Sequence, residues 1–283
     1  MPLQANAVGT SIGTLHIDVD DRWVMAYAAG VPDERSELFD TAAGVVVHPL
    51  FPVAPEWALI ISRQSGSTGL TDEEARRGIH VGHDMVIEQP LRGTGRLHIE
   101  GRLIAVDARR MGATQTALFT ATEADGTVVW RTKMTSLLLG VSLDGEPASL
   151  EVDWPHTPTA PSESEPVARR SEVRAIDAHV YSECARIWNP IHTDVVAARR
   201  SGLAEPILHG TATLARAVSI ATDLAGVPLA AVQRVAGTFK APVPLGSWFD
   251  VRLLGASPTH LWFDAVNADG STALAGGLLG LSS

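Results

Sequence analysis

Apolar and polar positions alternate most clearly in two stretches of the chain, QPLRGTGRLHIEGRLI from Gln89 and APVPLGSWFDVRLLGA from Ala241. In each, a proline and a glycine turn lead into the alternation, which reads as a strand with one buried side. Downstream of these lie FTATEADGT from Phe119 and FDAVNADGS from Phe263, whose Asp-Gly pairs between β-prone runs predict tight hairpins. The stretch His209 to Asp223, HGTATLARAVSIATD, has helical character, and Val232 to Leu281 returns to strand-turn-strand periodicity. A helix followed by runs of strands predicts an α+β fold, a helix packed on an antiparallel sheet, rather than alternating βα units.

The two hairpin segments are 144 residues apart, and so are His48 in VVVHPLF and His192 in NPIHTDV. Internal duplication is the economical reading. Between the halves, Pro147 to Arg170 carries five prolines (Pro147, Pro155, Pro158, Pro161, Pro166) with few apolar residues, a composition that favours extended backbone. The expected division is a first unit over 1–146, a linker over 147–170 and a second unit over 171–283. The same stretch also fits a long loop crossing the surface of one large domain.

At 283 residues, 45% hydrophobic and 19% charged, the chain reads as globular. With 22 basic against 32 acidic residues, a net charge of −10 and no basic block, it is a poor partner for nucleic acid. No Gly-rich phosphate loop opens a helix, which disfavours nucleotide binding of the common kinds. The start of the chain lacks a basic region leading into an apolar one, and no uncharged apolar run nears the roughly 18 residues of a membrane span. A cytoplasmic location and no membrane partner are the expectation. Cys184 is the only cysteine, so no intrachain disulfide and no multi-cysteine zinc site can form. The spacing of His179, His192 and His209 matches no metal motif, and neither a metal nor a cofactor is expected.

The chemistry concentrates in YSECARIWNPIHTDVVAARRSGLAEPILHG, Tyr181 to Gly210. Tyr181, Asn189, Pro190, Ile191, His192, Asp194, Pro206, Ile207, Leu208, His209 and Gly210 fall without gaps on a signature, and the segment resembles the MaoC-like, or (R)-specific enoyl-CoA hydratase type 2, family. The resemblance implies a double hotdog fold: two units, each an antiparallel sheet wrapped around a helix, in one chain, the first a degenerate copy. It also implies a hydro-lyase that adds water to an enoyl thioester or removes it from a 3-hydroxyacyl thioester. A homodimer of such chains is an available assembly.

In that family an Asp and a His move protons, and the N–H of a glycine at a helix start polarises the thioester carbonyl. Here the His is His192 and the glycine Gly210, but Ile187 stands where the Asp would be and Arg186 where a small residue is usual. A single imidazole suits elimination better than hydration, because it can take an α-proton and return it to the departing hydroxyl. The expectation is therefore a dehydratase-like lyase on an acyl thioester or a related polar intermediate, with His192 as acid and base. Its rival is a catalytically silent binding or partner subunit. Thioesterase activity lacks the expected helix carboxylate.

The neighbours carry competing readings. Asn189 and Pro190 shape the turn presenting His192, Asn189 being also a candidate substrate-binding or oxyanion residue, Gly210 is an anion site at a helix start, and His209 belongs to the same segment as a substrate-side residue. Asp194 suits a helix cap better than an acid. The Tyr181 hydroxyl reaches the pocket or the ring fills the core. Arg186 holds a substrate carboxylate or thioester oxygen, or pairs with Glu183. Cys184 reads as a small buried thiol and His48 as structural. If the first half has given up its helix, its interior is room for an acyl chain.

Overall fold

The computed structural model describes residues 2–62, 70–75, 77–160 and 165–282. The first half contains β1 (Ser11–Val19), α1 (Asp21–Gly30), α2 (Val53–Ser62), β2 (Gly78–Ile87), β3 (Gly95–Arg109), β4 (Gly112–Thr122) and β5 (Val128–Leu139). The second contains β6 (Val167–Val173), α3 (Asp177–Ala185), α4 (Val195–Arg200), α5 (Gly210–Ala225), β7 (Val232–Phe239), β8 (Ser247–Ala256), β9 (His260–Asn267) and β10 (Thr272–Leu281).

The strands form one continuous antiparallel sheet in the order β1-β3-β4-β5-β2-β7-β10-β9-β8-β6, with the short strand Ala148–Ser149 added beside β3. Each half contributes five strands in mirrored order, joined where Asp84 of β2 pairs with Ala236 of β7. α2 lies against β1 and β3, α5 against β8, β9 and β10, and α1 crosses α3. One apolar core runs through both halves, from Tyr27 and Leu59 to Tyr181, Leu214 and Phe263, and a smaller cluster around Leu3, Leu103 and Leu138 lies apart from it. The expected α+β double hotdog is therefore what forms.

Local sequence explains the elements that frame the site. α5 buries Ala212, Ala215, Ala217 and Ala221, whose small side chains let the helix sit close on the sheet, and it stops at Gly226, φ 65°. The Asp-Gly hairpins form as expected: Gly126 (φ 89°) turns β4 into β5, and Gly270 (φ 82°) turns β9 into β10.

Three expectations change. Residues 167–170, assigned to the linker, are paired with β8 from Val167 opposite Leu253 to Arg170 opposite Asp250. The described part of the linker is not free. Successive side chains of a strand point to opposite sides of the sheet, and residues 153–158 strap across the side away from the helices: Trp154 Nε1 donates to Asp84 (2.8 Å), Arg131 to the Asp153 carbonyl (2.8 Å), and Arg234 to the His156 carbonyl (2.9 Å). Nor has the first half given up its helix. α2 fills it, and the cavity lined by Ile12, Ile60, Leu103, Gln115 and Phe119 measures about 20 Å³, room for about one water molecule. Finally, the offset of 144 holds only in the last hairpin. Upstream it widens to 154 at Tyr27 and Tyr181, and β3, with 15 residues against 10 in β8, supplies half of that difference. His48 precedes α2 as His209 precedes α5, so its counterpart is His209 and not His192.

Candidate active site

α3 ends at Arg186, which adopts left-handed backbone (φ 58°), and the chain folds back so that the Ile187 N–H donates to the Ser182 carbonyl at 3.0 Å. Glycine takes such a conformation without steric cost, which explains why a small residue is usual here. Asn189 then caps the 3₁₀ turn Pro190–His192, its Oδ1 accepting from the Ile191 N–H at 3.4 Å. Asp194 caps α4, accepting from the N–H groups of Val196 (2.7 Å) and Ala197 (3.3 Å). The Asn189 amide oxygen and the Asp194 carboxylate are thus spent on backbone, as the sequence reading favoured.

This turn holds the His192 ring, 8% exposed, with Nδ1 2.9 Å from the Ile207 carbonyl. A carbonyl only accepts, so Nδ1 carries the proton and Nε2 keeps a lone pair. Nε2 has no hydrogen-bond partner among the described residues. Ile207 is fixed by the short antiparallel pair Ile207–Leu208 with Val243–Pro244. Burial, opposed by the Ile207 bond, pushes the His192 pKa down to about 4, so the ring is neutral at pH 7.

His209 stacks on His192, ring centroids 3.7 Å apart and planes at 23°. Its Nε2 donates to the Ile187 carbonyl (3.3 Å) beside Ser182 Oγ (3.2 Å), and its buried Nδ1 has no partner. Burial and then the neighbouring His192 hold its pKa well below the ordinary value. The next residue, Gly210, begins α5. The first N–H groups of a helix have no partner within it and lie at the positive end of its dipole. A β-carbon on Gly210 would stand 3.2 Å from the Phe239 ring, so only glycine lets this backbone meet that ring without displacement.

Of two further expected site residues, Tyr181 packs behind His209, ring centroids 4.9 Å apart, and Arg186 turns to the first half. Tyr181 is fully buried. Its hydroxyl donates to Thr211 Oγ1 (3.2 Å) and lies 3.3 Å from the Tyr27 hydroxyl, which donates to the Leu50 carbonyl (3.0 Å). It steadies the first turn of α5 from the core. Arg186 is exposed and places its guanidinium carbon 4.1 Å from the Trp23 ring centroid of α1. No pairing with Glu183 is formed among the described residues, because the left-handed turn directs the side chain across to the first half. Cys184 is half-buried against Gly30, and burial raises its thiol pKa.

Sequence reasoning carried Ile207 only as part of the signature and missed Thr211 and Phe239, together with His80 and His83 of β2, whose rings lie 5.6 Å apart with His80 4.8 Å from Phe239. His83 is 4% exposed with neither nitrogen partnered. His80, His83 and Phe239 meet through the β2–β7 joint, and no local pattern marks them. No group of three or more histidine, cysteine, aspartate or glutamate side chains among the described residues could hold a metal ion, and no described helix is long and apolar enough to cross a membrane.

A family model, the MaoC like domain, matches residues 158–260. A search of curated proteins found no match. Among solved structures, a MaoC-like dehydratase from Phytophthora capsici superposes with a TM-score of 0.84 at 19% identity, covering 99% of this chain and 98% of that one. The peroxisomal multifunctional enzyme type 2 of Drosophila melanogaster gives 0.77 at 20% identity, over 96% of this chain and 48% of that one. A Mycobacterium tuberculosis protein described as having a double hotdog fold gives 0.63 at 13% identity, over 96% and 95%. The segment that carries His192 and Gly210 is thus part of a MaoC-like domain, and the chain as a whole is a double hotdog.

Proposed function

We propose that the chain is a hydro-lyase acting on a 3-hydroxyacyl or enoyl thioester, with His192 as the acid and base. The observation that supports this most is the hydrogen bond from Nδ1 of His192 to the Ile207 carbonyl, which leaves Nε2 as a base on a ring stacked beside the residue that starts α5. In the elimination direction, Nε2 takes the α-proton of the 3-hydroxyacyl thioester. The electron pair passes to the thioester oxygen, next to the Gly210 N–H, where a positioned donor stabilises the developing charge. The pair then returns to form the Cα–Cβ double bond as the Cβ–O bond breaks, and His192 gives its proton to the departing hydroxyl, which leaves as water.

The depressed pKa of about 4 bears on the choice of substrate. An imidazolium that acidic surrenders its proton readily to a leaving hydroxyl, whereas the neutral ring is a weak base for the first step. The site therefore suits substrates whose α-carbon is already acidified by a second carbonyl or a conjugated system. Ile187, which is buried, supplies no second proton carrier.

Turnover of a panel of 3-hydroxyacyl and enoyl thioesters by the wild type and His192→Ala tests this. The expected result is dehydration of at least one 3-hydroxyacyl thioester with a loss of about 10²- to 10⁴-fold on substitution. Equal rates remove His192 from the chemistry. Binding without turnover favours a ligand-holding role.

A further inference from the structure

The loop that carries His192 has a second copy in the first half. With Tyr27 set against Tyr181, the two run without a gap to Ala43 and Ala197. The Asp33 N–H donates to the Ala28 carbonyl (3.1 Å) as that of Ile187 does to Ser182. Pro32 and Arg186, one residue earlier, are the two non-glycine residues with positive φ among the described residues. The 3₁₀ turn Ser36–Leu38 stands where Pro190–His192 stands. Asp40 Oδ1 accepts from the N–H groups of Ala42 (2.9 Å) and Ala43 (3.1 Å), as Asp194 does from Val196 and Ala197. In this register Asp33 falls on Ile187 and Leu38 falls on His192. Each copy has one member of a carboxylate–imidazole pair, and each has a different one.

Asp33 does not serve His192. It is 7% exposed and gripped by Arg35, whose Nε lies 2.9 Å from Oδ1 and whose Nη2 lies 2.5 Å from Oδ2. Arg35 also donates to Thr222 Oγ1 (3.2 Å) and the Ser219 carbonyl (3.4 Å) of α5, and His48 Nε2 lies 3.1 Å from Ser219 Oγ. Ser219 is nine residues beyond Gly210, about 13 Å along the helix, so the two centres are separate. Burial opposes ionisation of Asp33, but hydrogen bonds from Arg35 and Ser219 outweigh it and hold the carboxyl at about 2.

We propose that in the loop from Asp33 to Asp40, the first unit's degenerate copy of the site, Asp33 with Arg35 has become an ion-pair latch binding the first half to α5. Leu38 and the Arg35 fork close it to proton transfer, leaving one working centre per chain. This rests on the reading above only in taking His192 as the working group.

A double-mutant cycle of Asp33→Asn and Arg35→Ala, read by thermal melting and by turnover, tests it. Each single variant is expected to lower Tm by several degrees and the double variant to fall little further, while turnover stays within about twofold of wild type. Additive losses overturn the latch, and loss of turnover in Asp33→Asn with Tm unchanged overturns dormancy. If the wild type turns over no thioester, the proposed function fails and the melting cycle still decides the latch. For the copy itself, Leu38→His with Arg35→Asn introduces an imidazole beside Asp33. Its titration by NMR is expected at least one unit higher with Asp33 than with Asp33→Asn added, and equal values overturn the correspondence. Should the buried substitution at Leu38 prevent folding, the cycle remains decisive, since an uncoupled pair is incompatible with the proposal.

Discussion

Glu56, in the first turn of α2, makes a sharp test of the electrostatics. Its side chain is buried, and Oε1 accepts from Trp130 Nε1 (2.8 Å) and Thr132 Oγ1 (2.6 Å). Burial outweighs those two bonds and raises the pKa from 4.5 to about 7. Below about 4.5 the carboxyl is protonated in both the folded and unfolded states, and its contribution to stability is complete. As pH rises from 4.5 through 7 the unfolded chain releases the proton first, so stability is lost. The whole shift is worth about 3.4 kcal/mol at 1.36 kcal/mol per unit, of which about 2.5 kcal/mol falls between pH 5 and pH 8. Glu56→Gln keeps an oxygen for both donors and cannot ionise. Relative to wild type it is expected to gain about 2.5 kcal/mol between those two pH values, or about 5 °C in Tm for a chain of this size. Urea unfolding of both proteins at pH 5 and pH 8 measures it, because every other titrating group cancels in the difference. A stability difference independent of pH refutes the argument.

Other outcomes follow from the same structure. Burial depresses His48, His80 and His192 to about 4; their contribution is present above 6.5 and lost as pH falls towards 4, at up to about 3 kcal/mol each. Three such groups outweigh the opposite slope of Glu56, so the urea midpoint drops steeply between pH 7 and pH 5, and a flat profile contradicts the burial. Arg186→Gly removes a left-handed side chain costing about 1 kcal/mol along with the Trp23 stack, worth about the same, and melts near wild type. Arg186→Ala keeps the strain and loses the stack, so it melts lower; the reverse order contradicts the assigned role. Ile187→Asp sets a carboxylate on the residue whose carbonyl binds His209. It raises the His192 pKa and moves the acidic limb of the kcat/KM profile upward, and an unmoved limb places the two residues out of reach of each other. Trp154→Ala removes the Asp84 bond and the ring stacked 4.4 Å from Lys133 Nζ, loosening the strap, and faster proteolysis near residue 154 reports it.

What the amino-acid pattern reveals and conceals here has a physical division. The caps at Asn189 and Asp194, the glycine start of α5 and the Asp-Gly hairpins are local devices, each set by residues within a few positions, and all are legible in the chain. The tautomer of His192 depends on a carbonyl 15 residues away, and the landing of Arg186 on Trp23 depends on α1 crossing α3; neither has a local signal. The repeat shows the same division. The offset of 144 is visible in the last hairpin because side chains and turn agree there. The more telling offset of 154 is hidden, because Asp33 against Ile187 and Leu38 against His192 are chemically unlike. What the two loops share is backbone: a helix ended by positive φ, a 3₁₀ turn and an Asp that caps the next segment. Those bonds hold the loop whichever side chains occupy the two remaining positions. A duplicated fold of this kind can therefore lose a carboxylate on one side and an imidazole on the other without losing its shape, and the chemistry then has to be read one copy at a time.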